Sequence, residues 1–125
     1  MQTQAEHFLA EFLLTLNKSI DDYKAYLQAG KTFRYAQELK KNNAKAHRLL
    51  LDHNDQLPAG LQPASDALIE HYSVWTQKWE ALAEELKPGP DDEFVFPNTV
   101  TFPKQAAAAL EIYFKKLNGA APSAG

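Results

Sequence analysis

Hydrophobic residues recur along most of this chain at intervals of three and four, the spacing that gathers side chains on one face of an α-helix. From Gln4 to Gln28, the residues Ala5, Leu9, Phe12, Leu13, Leu16, Ile20, Tyr23 and Leu27 share a face, and His7, Glu11, Lys18, Asp22 and Lys24 lie on or near the other. Gly30 suits the position just past such a helix, because it enters the left-handed region without a Cβ clash. A second stretch, roughly Thr32 to Gln56, has Thr32 as its N-cap and carries Tyr35, Ala36, Leu39, Ala46, Leu50 and His53 on a stripe that continues to Leu57. Pro58, Gly60 and Pro63 then break the pattern.

The third stretch, roughly Pro63 to Leu86, lines up Ala64, Leu68, His71, Tyr72, Trp75, Trp79, Leu82 and Leu86. Pro63 fits a first helical turn, where a missing N–H leaves no bond unmade. Lys87-Pro88-Gly89-Pro90 ends the helix. The fourth, roughly Pro103 to Leu117, turns Ala106, Leu110, Tyr113, Phe114 and Leu117 inward and closes at Asn118-Gly119. Four helices with one apolar face each bury those faces by packing on one another. The expected fold is an all-α, antiparallel four-helix bundle over residues 1–118, with 119–125 as a flexible tail of small residues. Short connections at Gly30-Lys31 and at 57–62 set the first three helices up, down, up.

One passage departs from the helical pattern. Residues 91–104 read DDEFVFPNTVTFPK, with Phe94-Val95-Phe96 and Val100-Thr101-Phe102 on either side of Pro97-Asn98. Alternation of Phe, Val and Thr belongs to extended chain, and Pro-Asn suits the centre of a type I turn. A small hairpin or irregular loop packed over the end of the bundle, spanning about 88–102, is the favoured form. An extended crossover is the alternative, since ten residues reach about 33 Å, the length of a twenty-residue helix. That many apolar side chains need cover, so Phe94, Phe96 and Phe102 are expected to cap the core in part. Any that stay exposed mark a contact site.

A length of 125 residues fits one domain. With 45% hydrophobic and 23% charged residues the composition is that of a globular chain. The net charge of −3 argues against nucleic acid as the main partner, which wants an excess of Lys and Arg. Absence of cysteine excludes disulfides, thiolate nucleophiles and Cys-ligated zinc or iron–sulfur centres. The first residues lack a basic region and place Glu6 and Glu11 within the apolar stretch, so neither a signal peptide nor a membrane span is expected. The expected location is the cytoplasm.

No motif fixes a chemistry. No glycine-framed nucleophile elbow or phosphate-cradling loop is present, and the acidic run Asp91-Asp92-Glu93 lacks the ligand spacing of a calcium loop. The expectation is a protein without catalytic residues, metal or cofactor. His7 and Glu11, four apart, would suit two metal ligands, but both point away from the core stripe. His53 and His71 fall on or beside core faces, and Asn43 sits with Asn42 in or beside the second stripe. Asn43, His53 and His71 are therefore the candidates for an interior ligand site, against the plainer reading of hydrogen-bonded core residues.

Arg34, Lys41, Lys45 and Arg48 share the outer face of the second helix and could meet an anionic partner; a solvated face is the plainer reading. Leu14, Phe33, Leu51, Ile69, Val74 and Ile112 fall off their stripes, and if joined in a patch they favour association with another protein or a second copy. The leading expectation is a small non-enzymatic interaction or regulatory bundle. Its contact candidates are Arg34, Lys41, Lys45, Arg48, Phe94, Phe96 and Phe102. Interior binding of a small ligand or metal, or of an anionic partner on the basic face, is the alternative.

Overall fold

A computed structural model describes residues 4–96 and 101–119. The chain is all-α: α1 spans Gln4–Gln28, α2 Phe33–His53, α3 Gln62–Leu86 and α4 Lys104–Gly119, with two short 3-10 turns between α2 and α3 and no strand among the described residues. Of the tail expected at 119–125, Gly119 ends α4 and the rest lies outside the described residues, as does the Pro97-Asn98 turn.

Local chemistry explains the helix ends. Gly30 adopts φ 80°. Around it Lys31 N–H donates to Tyr26 C=O at 2.8 Å and Gly30 N–H to Leu27 C=O at 3.3 Å, the paired bonds of a Schellman motif. At the next connection the Gln62 side-chain amide donates to the carbonyls of Asn54 (2.7 Å) and Leu57 (3.1 Å), tying α3 to the turn before it. α3 ends at Lys87, held left-handed at φ 44°. Between α1 and α2 the contacts Phe8–His53, Glu11–Lys45 and Asp22–Asn42 climb one helix while descending the other.

The core divides into two clusters. The first joins Phe8, Leu9 and Phe12 of α1, Ala46 and Leu50 of α2, Leu57, Leu68 and Tyr72, and Ala107 and Leu110 of α4. The second joins Tyr26, Ala36, Trp75, Trp79 and Phe94, with Phe33 and Phe96 packed against it. α4 contributes to the first cluster and not to the second. In chain order, α1 and α2 each place a buried polar residue between their contributions: Ser19 on α1 and Asn43 on α2.

The buried face of α1 differs from the expected stripe. Phe8, Phe12, Thr15, Ser19 and Tyr26 are buried, while Ile20, Tyr23 and Leu27 are 47%, 42% and 44% exposed. The two faces are offset by roughly a quarter turn, with Leu9 and Phe12 common to both. Small side chains at Thr15 and Ser19 admit the neighbouring helices, whereas the apolar stripe needs a further helix to cover it. α4 is that helix, but it has 16 residues against 25 for α1, about 24 Å against about 38 Å. Leu13 and Leu16 are packed on the first cluster with α4; the stripe above them is open. Tyr35 and Leu86, also expected inside, are 39% and 50% exposed near the same end.

The described aromatics of the β-like passage, Phe94, Phe96 and Phe102, lie against the helices. Phe94 is wholly buried and packs on Trp79 and Phe33, with ring centroids 5.1 Å away in each case. Phe96 meets Trp75 at 5.4 Å and Phe102 meets His71 at 5.2 Å, so successive aromatics step back along α3. One antiparallel bridge joins Glu93 to Thr32. Phe94 N–H donates to Lys31 C=O at 2.7 Å, its carbonyl accepts the Tyr26 hydroxyl, and that hydroxyl accepts Phe96 N–H at 3.3 Å. The groups that a hairpin about Pro97-Asn98 needs at Phe94 are therefore engaged by α1 and by the α1–α2 turn. A lone hairpin is marginal in water, and the first N–H groups of α2 hold the residues just before it, at Pro90 and Asp92.

Candidate interaction surface

The four basic residues of α2 do not form a free cationic face. Arg34 pairs with Asp91 at 3.0 Å, Lys41 with Glu38 at 3.7 Å and Lys45 with Glu11 at 3.4 Å. Only Arg48, exposed, has no ion pair among the described residues. These pairs are solvent-exposed and worth little to stability, yet they cancel most of the positive charge an anionic polymer would seek.

The three phenylalanines are core or near-core residues. Phe94 is fully buried, which removes it as a surface contact, and Phe96 and Phe102 are half-buried against α3. Among the described residues of this segment the exposed large apolar side chain is Val95. Alternation explains this: with 94 and 96 turned onto Trp79 and Trp75, residue 95 faces the other way.

Asn43, His53 and His71 occupy separate surroundings. Asn43 is buried between the clusters. His53 lies against Phe8, ring centroids 5.3 Å apart and tilted by 31°, its Nδ1 bonded to the Gln56 amide at 3.1 Å. It lines an open cleft of about 410 Å³ with Gln4, His7, Phe8, Glu11, Leu49 and Gln56. His71 lies against Tyr72 and Phe102. Burial holds its imidazole below the ordinary range, while a bond to the Thr101 backbone acts the other way. His53 thus shares its cleft with His7 and Glu11, and His71 is not among the residues that line it. No group of three or more potential ligands that could hold a metal occurs among the described residues.

What the expected candidates omit is the upper part of α1. Leu13, Leu16, Ile20, Tyr23 and Leu27 follow at spacings of three, four, three and four, the seam on which a second helix packs. α4 occupies its lower part; Ile20, Tyr23 and Leu27 remain half-exposed. Tyr23 stacks on Tyr26, ring centroids 6.1 Å apart, and Tyr26 holds the 94–96 backbone. Burial, Tyr23 and Glu93 push the Tyr26 phenol up, and the Phe96 N–H bond opposes them. The seam was visible in the spacing. That it outruns its cover follows from comparing the lengths of the first and fourth helices.

The chain matches no protein-family model, no curated protein and no solved structure. Among the described residues no helix is long and apolar enough to cross a membrane.

Proposed function

We propose that this chain is a small non-enzymatic interaction protein, and that its contact surface is the upper flank of α1 rather than the basic face of α2. One observation carries the reading: Ile20, Tyr23 and Leu27 continue a helix-packing seam past the end of the helix that covers it. Single exposed apolar residues are ordinary; three in register on one helix face form a patch, and such patches favour association. The partner is another protein or a second copy.

Sedimentation tests the second copy. Photo-crosslinking from position 23, with position 77 as the exposed control on α3, tests the other. Assembly or crosslinks that depend on Ile20 support the reading. A strict monomer that crosslinks equally from both positions, or from neither, refutes it.

A second reading, a small-ligand site, has the cleft beside His53 behind it. Its volume falls in the range of ligand pockets. A fragment screen followed by imidazole NMR shifts of His7 and His53 tests that; unmoved shifts across the screen count against it.

A further inference from the structure

Three features fix what can lie on the open seam. The first is the spacing itself, which accepts a helix: one step below on the same stripe, Leu9 shares a core cluster with Ala107 and Leu110 of α4, Leu13 and Leu16 pack against that cluster, and α1 and α4 are in contact.

The second is the sign of charge on the two borders. On a helical wheel Lys24 lies about 60° from the line of Ile20, Tyr23 and Leu27, on the side away from Tyr26. Glu93 is on the opposite border, with the segment that Tyr26 holds, and its carboxylate acts electrostatically on the Tyr26 phenol. Lys24 and Glu93 are both exposed, and neither has an ion pair among the described residues. The seam is thus edged by a cation on one side and an anion on the other.

The third is what this pattern does to a second copy. An antiparallel two-fold pairing of α1 with itself sets like border against like, Lys24 toward the partner's cationic edge and Glu93 toward its acidic one, which is destabilising. A parallel pairing would match the charges, but it brings the two α4 helices, both lying on the lower part of this face, into the same space.

We propose that the upper seam of α1 receives an amphipathic helix from another protein, seated beyond the end of α4, with an apolar i, i+3, i+7 face, an acidic flank against Lys24 and a basic flank against Glu93. This rests on the interaction reading above and names the partner that reading leaves open. The complement acts as a register device, as flanking charges do in coiled coils.

The test uses the full chain and three 14-residue helical peptides sharing one leucine face. One carries a Lys flank and a Glu flank, one Lys on both flanks, one Glu on both. Binding is read by fluorescence anisotropy and located by amide NMR shifts. The mixed-flank peptide is expected to bind about tenfold tighter than either uniform one, an effect the size of flanking-charge discrimination, with shifts at residues 20, 23, 27 and 93. Lys24→Glu should transfer the preference to the all-Lys peptide. Ile20→Asp and, as a milder change, Leu27→Ser should weaken binding about tenfold, and Leu14→Asp, on an exposed face of α1 outside the seam, should not.

Equal binding of all three peptides, or no binding with shifts on the seam, overturns the proposal. If Ile20→Asp instead disperses an assembly of this chain with itself, the second copy is the occupant; the interaction reading then stands while this assignment falls. If the wild-type chain neither self-associates, nor crosslinks through position 23, nor binds any peptide, both fall.

Discussion

Phe94 closes the upper core at the level of a single side chain. It is fully buried between Trp79 and Phe33, and its own backbone is held on both sides. Phe94→Ala should cost about 3–5 kcal/mol in urea unfolding, the range for deleting a buried aromatic. Tyr26→Phe keeps the ring but strands the Phe94 carbonyl and the Phe96 N–H, and should cost about 1–3 kcal/mol. His71 offers a second test at this scale. Burial lowers its folded pKa below the ordinary 6.5, so between the two values the unfolded chain binds more protons than the folded one. Stability is then full above about pH 6.5 and falls as pH drops through the lowered folded value. His47 is shifted the same way, by burial and then by Arg48. Chemical denaturation from pH 7.5 to 5 should follow this decline, and His71→Phe should flatten it in part.

Elements were the most legible scale. α1 begins and ends where its periodicity and Gly30 place it, and Pro63 opens α3 in its first turn. Less legible was which side of α1 turns inward. A wheel ranks side chains by hydropathy and so chose the stripe through Ile20, Tyr23 and Leu27. The fold instead buries the line through Thr15 and Ser19, whose size admits neighbouring helices, and gives the apolar line a cover that stops short. His53 could be placed near a core face from sequence, but its companions could not, because the α1–α2 register decides them. One element-scale prediction concerns the end of α3. Lys87 holds a left-handed φ of 44° that costs an L-residue about 1–2 kcal/mol. Lys87→Gly should raise the denaturant midpoint, with a gain of about 1 kcal/mol after the extra backbone entropy of glycine, and leave the m-value unchanged.

For the molecule as a whole, division of the core into two clusters matters more than the helix count. Helix α4 supports only the lower one. Leu110→Ala, from its buried centre, should therefore cost about 2–5 kcal/mol, with early loss of amide protection in the first cluster. The surface charge pattern predicts the reverse insensitivity. Arg48→Ala and Lys41→Ala together should move stability by less than about 0.5 kcal/mol each. DNA should not bind at 0.15 M salt, because Arg34, Lys41 and Lys45 are already paired. An all-helical fold could be read from the sequence because every helix carries its own period. The open seam could not, because it is a mismatch in length between two elements far apart in the chain.

The N-terminus of α2 has a consequence for the order in which the chain can fold. Thr32 makes no side-chain cap. Instead Phe33 N–H donates to Asp92 C=O and Arg34 N–H to Pro90 C=O, both at 2.8 Å. The groups that finish this helix lie some sixty residues downstream and are synthesised after α3. A nascent chain halted before Pro90 holds α1, α2 and α3 but leaves the first turn of α2 open to water. Amide exchange at Phe33 and Arg34 then becomes a clock for the arrival of DDEFVF: fast on the stalled chain, slow once those residues clear the ribosome.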